Sequence, residues 1–342
     1  MRIALFSTQG AVGLPTEYGT HVREVARMLR LLGHECLLVG LASRAPRDAA
    51  AGHAGGTRRR LLPDFGGHGD LPGVTELLEE EQPDVVWLLQ WRMSRQFLDA
   101  AAARGVPVVA DLHGLFCPVD ARTSGERRLD RQLADHAAHP GYAPDDERYV
   151  LAASHLVVTR FDWDAEAARR EGVGTGRIRR VPFGIRYATP NGQVPGARRR
   201  AGAEPCAAFA GPLVHTAGAH LLLDAMALVP DLPVRLVMEA RGPGDKEYEE
   251  LVAVRAGDDP RVTVVLDPPS GPSPIVSGAA DLLVVPSLVP GACPVVALAA
   301  GASGVRVAAS EAAGPGIPFA CGDGDLFETG NAAAIAEVLE RL

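Results

Sequence analysis

Three segments of the sequence place a glycine-containing turn directly before a predicted helix, an arrangement that can bind an anion. The clearest is 209–225, FAGPLVHTAGAHLLLDA, in which an apolar strand ends at Gly211 and an apolar helix follows Gly218. The other two are GLPTEYGTHVREVA, which contains Gly19, and PSLVPGACPVVALAAG, which contains Gly291. The first N–H groups of a helix lack intrahelical partners and the helix dipole is positive there, so each segment is a candidate phosphate site. A single turn of this kind is more often structural than functional.

The segment 209–225 lacks the positive charge expected of a phosphate loop, because it contains neither Lys nor Arg. We expect Thr216 to cap the helix and Gly218 to lie in its first turn. Hydrogen-bond donors from other positions would have to replace the missing cations. By topology or chain position, the nearest candidates are Arg160, Arg241, His215 and His220.

Asp111 and His113 end the predicted strand PVVADLHG. Strand ends in this topology face ligand, so His113 could donate to a phosphate or a hydroxyl, or act as an acid or base. A structural histidine explains the pattern equally well. Trp91 and Arg92, just past another strand, could clamp a substrate or pack at the domain edge. The sequence shows no Ser-His-Asp order, no HExxH motif and no P-loop lysine.

Alternating strands and helices must position these residues. Short apolar runs such as RIALFS, ECLLVGL and DVVWLLQ alternate with helical patterns, and a second alternation begins at Cys206. This βαβα order predicts an α/β protein with two Rossmann-like, doubly wound parallel-sheet domains. We place the domains at 1–187 and 204–342, with 188–203 as a Pro-, Gly- and Arg-rich linker. Ligands bind outside the carboxyl ends of such strands, so two facing domains would enclose a cleft.

Composition narrows the function classes. The net charge of −8 argues against a nucleic-acid binder. We interpret the arginine triplets Arg58–Arg60 and Arg198–Arg200 as solvated loop charge rather than anion sites, and the acidic run LLEEEQ as a solvated helix face. The five cysteines form no CxxC pair, so we expect no metal site and a reduced cytosol. With no leader and no membrane-length apolar run, we expect a cytoplasmic protein without a membrane span.

Longer stretches resemble the retaining GT-B glycosyltransferases, the large family that includes sucrose synthase and bacterial mannosyltransferases (glycosyltransferase family 4-like). YGTHVREVARMLRLLGHECLLVG is similar to the first strand, loop and helix of that family, which often end in RGHEV. SHLVVTRFDWDAEAARREGVGTGRIRRVPFGI resembles its middle segment, which ends in RIxVIPNGV. The second half resembles the donor domain of the family. The resemblance covers nearly the whole chain and implies metal-independent, hexosyltransferase-type transfer from a nucleotide-sugar, with no cofactor.

The donor-binding positions depart from the family pattern. The family has an Arg at the position of Pro212 and a Lys near Thr216 and Ala217, and both cations hold the donor diphosphate. It also has two Glu residues in the ribose segment, the first at the position of Pro290. Here no carboxylate occurs between residues 282 and 310. A hydrogen bond to a charged group contributes roughly 1.5–3 kcal/mol, so these losses predict a degenerate site with weakened donor binding.

The leading hypothesis is a transferase that moves a sugar from a nucleotide-sugar to a small acceptor with retention, in specialised, antibiotic-type metabolism. One alternative is a catalytically silent homologue that stabilises another enzyme, as a protein partner or homo-oligomer. The other is a GT-B enzyme with different chemistry on a sugar-like substrate. The candidate catalytic residues are His113 and Asp111, and the candidate acceptor-binding residues are Glu17, Tyr18, Gly19, Trp91 and Arg92. The candidate donor-binding residues are Gly211, Pro212, Thr216, Gly218, Arg241, Gly242, Ser287, Pro290, Gly291, Ala292 and Cys293, with Arg160 as a further phosphate contact.

Overall fold

The computed structural model of the protein divides into two compact units, Met1–Gly184 and Ile185–Leu342. It describes residues 1–7, 17–41, 53–54, 57–62, 73–89, 94–112, 144–160, 162–181, 204–241, 244–266, 268, 280–288, 295–313 and 325–342. The predicted linker 188–203 lies outside these residues, and the predicted domain boundaries stay predictions.

The first unit is built on an eight-stranded sheet in the order β3-β4-β2-β1-β5-β6-β7-β8, in which only β3 is antiparallel. Its strands are β1 (Arg2–Phe6), β2 (Glu35–Leu41), β3 (His53–Ala54), β4 (Thr57–Leu62), β5 (Val85–Leu88), β6 (Val108–Asp111), β7 (Leu156–Thr159) and β8 (Ile178–Arg180). Its helices are α1 (Glu17–Leu31), α2 (Val74–Glu81), α3 (Ser94–Ala102), α4 (Pro144–Ala153) and α5 (Asp162–Arg170).

Both faces of this sheet are buried, which explains why the central strands are continuous apolar runs. Along β1, Ile3 and Leu5 pack on the side that holds Val22 of α1. Phe6 points to the opposite face, where its ring lies 4.2 Å from that of Phe97 in α3. The helices therefore cover the sheet on both sides, as the alternating sequence pattern predicts.

The second unit has a six-stranded, all-parallel sheet in the order β11-β10-β9-β12-β13-β14. Its strands are β9 (Cys206–Gly211), β10 (Arg235–Ala240), β11 (Val262–Val265), β12 (Leu282–Val285), β13 (Arg306–Ser310) and β14 (Asp325–Phe327). Its helices are α6 (Ala219–Leu228), α7 (Lys246–Gly257), α8 (Val295–Ala302) and α9 (Ala332–Glu340). The two predicted doubly wound domains are thus confirmed.

The interpretation of Arg58–Arg60 as loop charge is wrong, because these residues form part of β4. Arg58 donates to Glu81 of α2 over 2.7 Å, and Arg60 pairs with Glu80 over 2.5 Å. Glu81 is only 2% exposed, so it does not belong to a solvated helix face. The arginines join β4 to α2, and about twenty residues of sequence separate the two partners of each ion pair.

Candidate functional site

Three strand ends meet at the carboxyl edge of the second sheet. Chain order reverses there between β9 and β12, which is the place where doubly wound sheets bind ligands. The N–H of Arg241, just after β10, donates to the carbonyl of Gly211 at the end of β9 over 2.8 Å. The N–H of Leu288, just after β12, donates to the carbonyl of Thr216 over 2.8 Å. These bonds bring together the predicted donor-binding residues Gly211, Thr216, Arg241 and Ser287.

Gly218 fits this edge because it has no side chain. Its φ is +75°, in the left-handed region, and a Cβ atom placed on it would lie 2.0 Å from the carbonyl oxygen of Pro286. The backbone of the β9–α6 loop therefore lies directly against the segment that follows β12. The close approach explains why glycine occupies this position.

The structure corrects the expected capping of α6. Gly218 is the N-cap residue and no side chain caps the helix, whereas Thr216 lies in a preceding 3-10 turn, His215–Ala217. The hydroxyl of Tyr248 in α7 lies at the start of the helix. It accepts the N–H of His220 over 2.9 Å and lies 2.7 Å from Nδ1 of the same histidine. One of the first N–H groups of α6 is therefore already partnered by the protein.

Tyr248 and two histidines form a small cluster at the start of α6. The phenol oxygen contacts both the backbone N–H and Nδ1 of His220. Burial, followed by the neighbouring His215, lowers the pKa of His220, and burial raises the pKa of Tyr248 to about 12. The His215 ring stacks on that of His220, with centroids 4.6 Å apart. Sequence reasoning missed Tyr248, which lies in the acidic run DKEYEE.

Arg241 is a cation at the carboxyl edge, and it is ion-paired. Its Nε donates to Glu239 over 2.5 Å, and the two side chains are 14% and 3% exposed. Sequence reasoning also missed Glu239, although a carboxylate inside the apolar strand RLVMEA was a usable signal. Arg241 is thus held in place by a buried carboxylate directly beside the β9–α6 loop.

A buried cluster of charged and polar side chains lies at the corresponding edge of the first sheet. Asp111 ends β6, Arg160 follows β7, and His21 lies in α1; they are 2%, 4% and 4% exposed. An Nη2 proton of Arg160 is donated to Asp111, and Nη2 also lies 3.0 Å from Nε2 of His21. Nη1 donates to the carbonyl of Val181 over 2.8 Å, and the backbone N–H donates to Asp164 over the same distance.

Burial sets the protonation states in this cluster. It raises the pKa of Asp111 to about 6, although Arg160 and the indole of Trp87 act in the opposite direction. It also lowers the pKa of His21 to about 3, with a further contribution from the positive charge of Arg160. A guanidinium can only donate, so Nε2 of His21 must accept, and the ring is neutral at physiological pH.

The remaining predicted site residues stay predictions. Glu17, Tyr18 and Gly19 form the first turn of α1, but their side chains lie outside the description, as do His113, Trp91, Arg92, Gly242, Pro290, Gly291, Ala292 and Cys293. Among the described residues, no three His, Cys, Asp or Glu side chains form a group that could hold a metal ion. Within the same part of the chain, no helix is both long and apolar enough to cross a bilayer.

Comparison with known families agrees with this architecture. Residues 16–184 match the family described as "Glycosyl transferase 4-like domain", and residues 204–342 match "Glycosyl transferases group 1". The chain belongs to the GT-B glycosyltransferases. Comparison with curated proteins gave no match for this glycosyltransferase.

Solved structures share the fold of this glycosyltransferase at low sequence identity. HepE of Anabaena in complex with UDP and glucose is 16% identical, with a TM-score of 0.71 over 100% of this chain and 89% of that one. Sucrose-phosphate synthase of Thermosynechococcus elongatus is 20% identical, with the same TM-score and coverage. The lipopolysaccharide outer core galactosyltransferase WaaB, in its apo form, is 14% identical with a TM-score of 0.66 over 100% of this chain and 90% of its own.

Proposed function

We propose that this glycosyltransferase binds a nucleotide-sugar at the carboxyl edge of its second sheet and transfers the sugar, with retention, to a small acceptor. The proposal rests on the backbone hydrogen bonds that join the strand ends at Gly211, Arg241 and residues 286–288. These strand ends lie at the carboxyl edge of the sheet, where chain order reverses and ligands bind in folds of this type. HepE was solved with UDP and glucose and with UDP-glucose, so UDP-glucose is the first donor to test. A place in specialised, antibiotic-type metabolism stays a prediction from the sequence.

Donor binding in this proposal is non-standard and depends on Arg241. The loop 212–218 contains no Lys or Arg, and the Tyr248 hydroxyl already accepts the His220 N–H at the start of α6. Arg241 lies beside that loop and is oriented by Glu239. A charge-assisted hydrogen bond contributes roughly 1.5–3 kcal/mol, which corresponds to about a 10- to 100-fold change in affinity.

The test measures nucleotide binding before activity. Thermal unfolding is followed with UDP-glucose and with GDP-, ADP- and TDP-sugars, since a ligand that binds only the native state raises Tm. Calorimetric titration then compares wild type with Arg241→Gln. Arg306→Gln is the matched control, because Arg306 pairs with Asp325 over 2.8 Å but begins β13 and so lies at the opposite edge of the sheet.

We expect at least one nucleotide-sugar to raise Tm, Arg241→Gln to weaken its binding about tenfold or more, and Arg306→Gln to bind normally. NMR of the sugar product should show the anomeric configuration of the donor. If no nucleotide raises Tm, donor binding is refuted and the silent-homologue alternative is favoured. If the nucleotide binds equally well to both variants, Arg241 does not hold the phosphate.

A further inference from the structure

We propose that Arg160, Asp111 and His21 are positioning residues, which hold the start of α1 against the ends of β6 and β7. They would thereby fix two chain segments that carry candidate acceptor-binding and catalytic residues of the proposed transfer. One contains Glu17–Gly19, which precede His21 by two to four residues, and the other contains His113, two residues after Asp111. The inference therefore rests on the proposed function for its catalytic consequence.

Arg160 joins four other parts of the first unit, three through its guanidinium and one through its backbone N–H. Nη2 of Arg160 contacts Asp111 of β6 and, at 3.0 Å, His21 of α1. Nη1 binds the Val181 carbonyl after β8, and the backbone N–H binds Asp164 of α5. A planar guanidinium has donors in fixed directions, so these contacts also fix the relative positions of the elements that supply them.

Burial and the partners already present argue against direct roles for Arg160 and Asp111. Their side chains are 3% and 1% exposed, and the guanidinium already binds three protein acceptors. A phosphate would have to replace acceptors that a buried cation already has, and a buried ion pair that loses one partner is strongly destabilised. The pair is therefore better suited to holding backbone segments than to contacting substrate.

His21 supplies the link to α1 as a neutral acceptor. Protonation of Nε2 would convert the acceptor into a donor that faces the guanidinium, which disrupts the contact. The Trp87 indole N–H and Asp111 Oδ1 are both buried, and the indole stabilises the Asp111 carboxylate. The cluster thus extends across β5, β6 and β7 to α1.

The experiment compares Arg160→Gln, Arg160→Lys and His21→Asn in the full-length protein. His155→Asn is the matched control, because Nδ1 of His155 accepts the Val108 N–H over 3.1 Å at the opposite edge of the same strands. The measurements are kcat and KM for the acceptor, Kd for the donor nucleotide, and hydrogen exchange of the Leu112 amide and of the first hydrogen-bonded amides of α1. NMR follows the titration of His21 in the Arg160 variants.

We expect Arg160→Gln and His21→Asn to lower kcat/KM for the acceptor at least tenfold, with donor Kd within twofold of wild type. Exchange of the Leu112 and α1 amides should accelerate at least tenfold, and Arg160→Lys should restore part of both effects. In Arg160→Gln the titration of His21 should move up toward its ordinary pH range. His155→Asn should change none of these quantities.

Two results overturn the proposal. One is a variant that keeps wild-type acceptor kinetics and wild-type exchange; the other is a variant that loses donor affinity as fully as acceptor turnover, which indicates general unfolding. If the wild-type protein transfers no sugar, the proposed function fails, and exchange alone then decides whether the cluster positions these segments. Unchanged exchange in both His21→Asn and Arg160→Gln rejects positioning even in that case.

Discussion

Replacement of Gly218 by Ala tests whether close backbone contact holds together the β9–α6 loop and the segment after β12, which form part of the proposed donor site. A non-glycine residue in the left-handed region costs about 1–2 kcal/mol. The new Cβ would also lie 2.0 Å from the Pro286 oxygen, so the β9–α6 loop and the segment after β12 must separate. That movement removes the bond from the Leu288 N–H to the Thr216 carbonyl, and an unsatisfied buried group costs about 1–3 kcal/mol. Together these terms predict a loss of about 2–5 kcal/mol.

The matched control is Gly304→Ala. Gly304 has φ +78°, but a Cβ placed there meets no atom within 4 Å, so only the left-handed conformation is penalised. Urea unfolding followed by circular dichroism should show that Gly218→Ala is more destabilising by at least about 1 kcal/mol. Equal losses in the two variants, or unchanged hydrogen exchange of the Leu288 amide in Gly218→Ala, would refute the reasoning.

Two further predictions concern the second unit. Arg261→Met should destabilise the second unit by about 2–3 kcal/mol. The Arg261 guanidinium donates to the carbonyls of Met226, Val229 and Leu232, at and just after the end of α6. A urea midpoint equal to that of the wild type would contradict this prediction. Tyr248→Phe should cost about 1–2 kcal/mol, because the N–H and Nδ1 of His220 lose the hydroxyl that they contact; an unchanged urea midpoint would contradict this. Burial is the first cause that lowers the pKa of His220 on folding, so its stabilising contribution is complete above pH ~6.5 and declines as the pH falls. An NMR titration of the folded protein that places His220 at its ordinary pKa would count against that explanation.

The sequence predicted the central strands closely because their information is local. The segments ECLLVGL and CAAFAG are apolar apart from Glu35, and they match β2 and β9 residue for residue. The helix VTELLEEE matches α2 in the same way. Strands at or next to the sheet edges were missed: β4 carries Arg58–Arg60, and β14 has only three residues. Neither strand has a long apolar run, so each is recognised by its pairing with a neighbouring strand rather than by its own pattern.

Part of the proposed donor site could also be predicted from the sequence, because strand order alone places Gly211, Arg241 and Ser287 at the carboxyl edge of the second sheet. The partners of these residues could not. Glu239 was unassigned although it orients Arg241, and Tyr248 was unassigned although its hydroxyl accepts the His220 N–H at the start of α6. Side-chain pairing across helices and strands depends on distances that the linear pattern does not contain.

The sequence by itself therefore determined two parallel α/β domains, their central elements and the strand ends where a ligand would bind, because apolar periodicity and chain order are sufficient for these. Only the tertiary structure decided which charged groups are available there. In the structure Asp111 is buried in an ion pair with Arg160, Glu239 accepts a hydrogen bond from Arg241, and Gly218 lies against the Pro286 carbonyl. The reason is that burial and ion pairing depend on residues far apart in sequence. These contacts, and not the residue type alone, determine whether a charged side chain is free to bind a ligand.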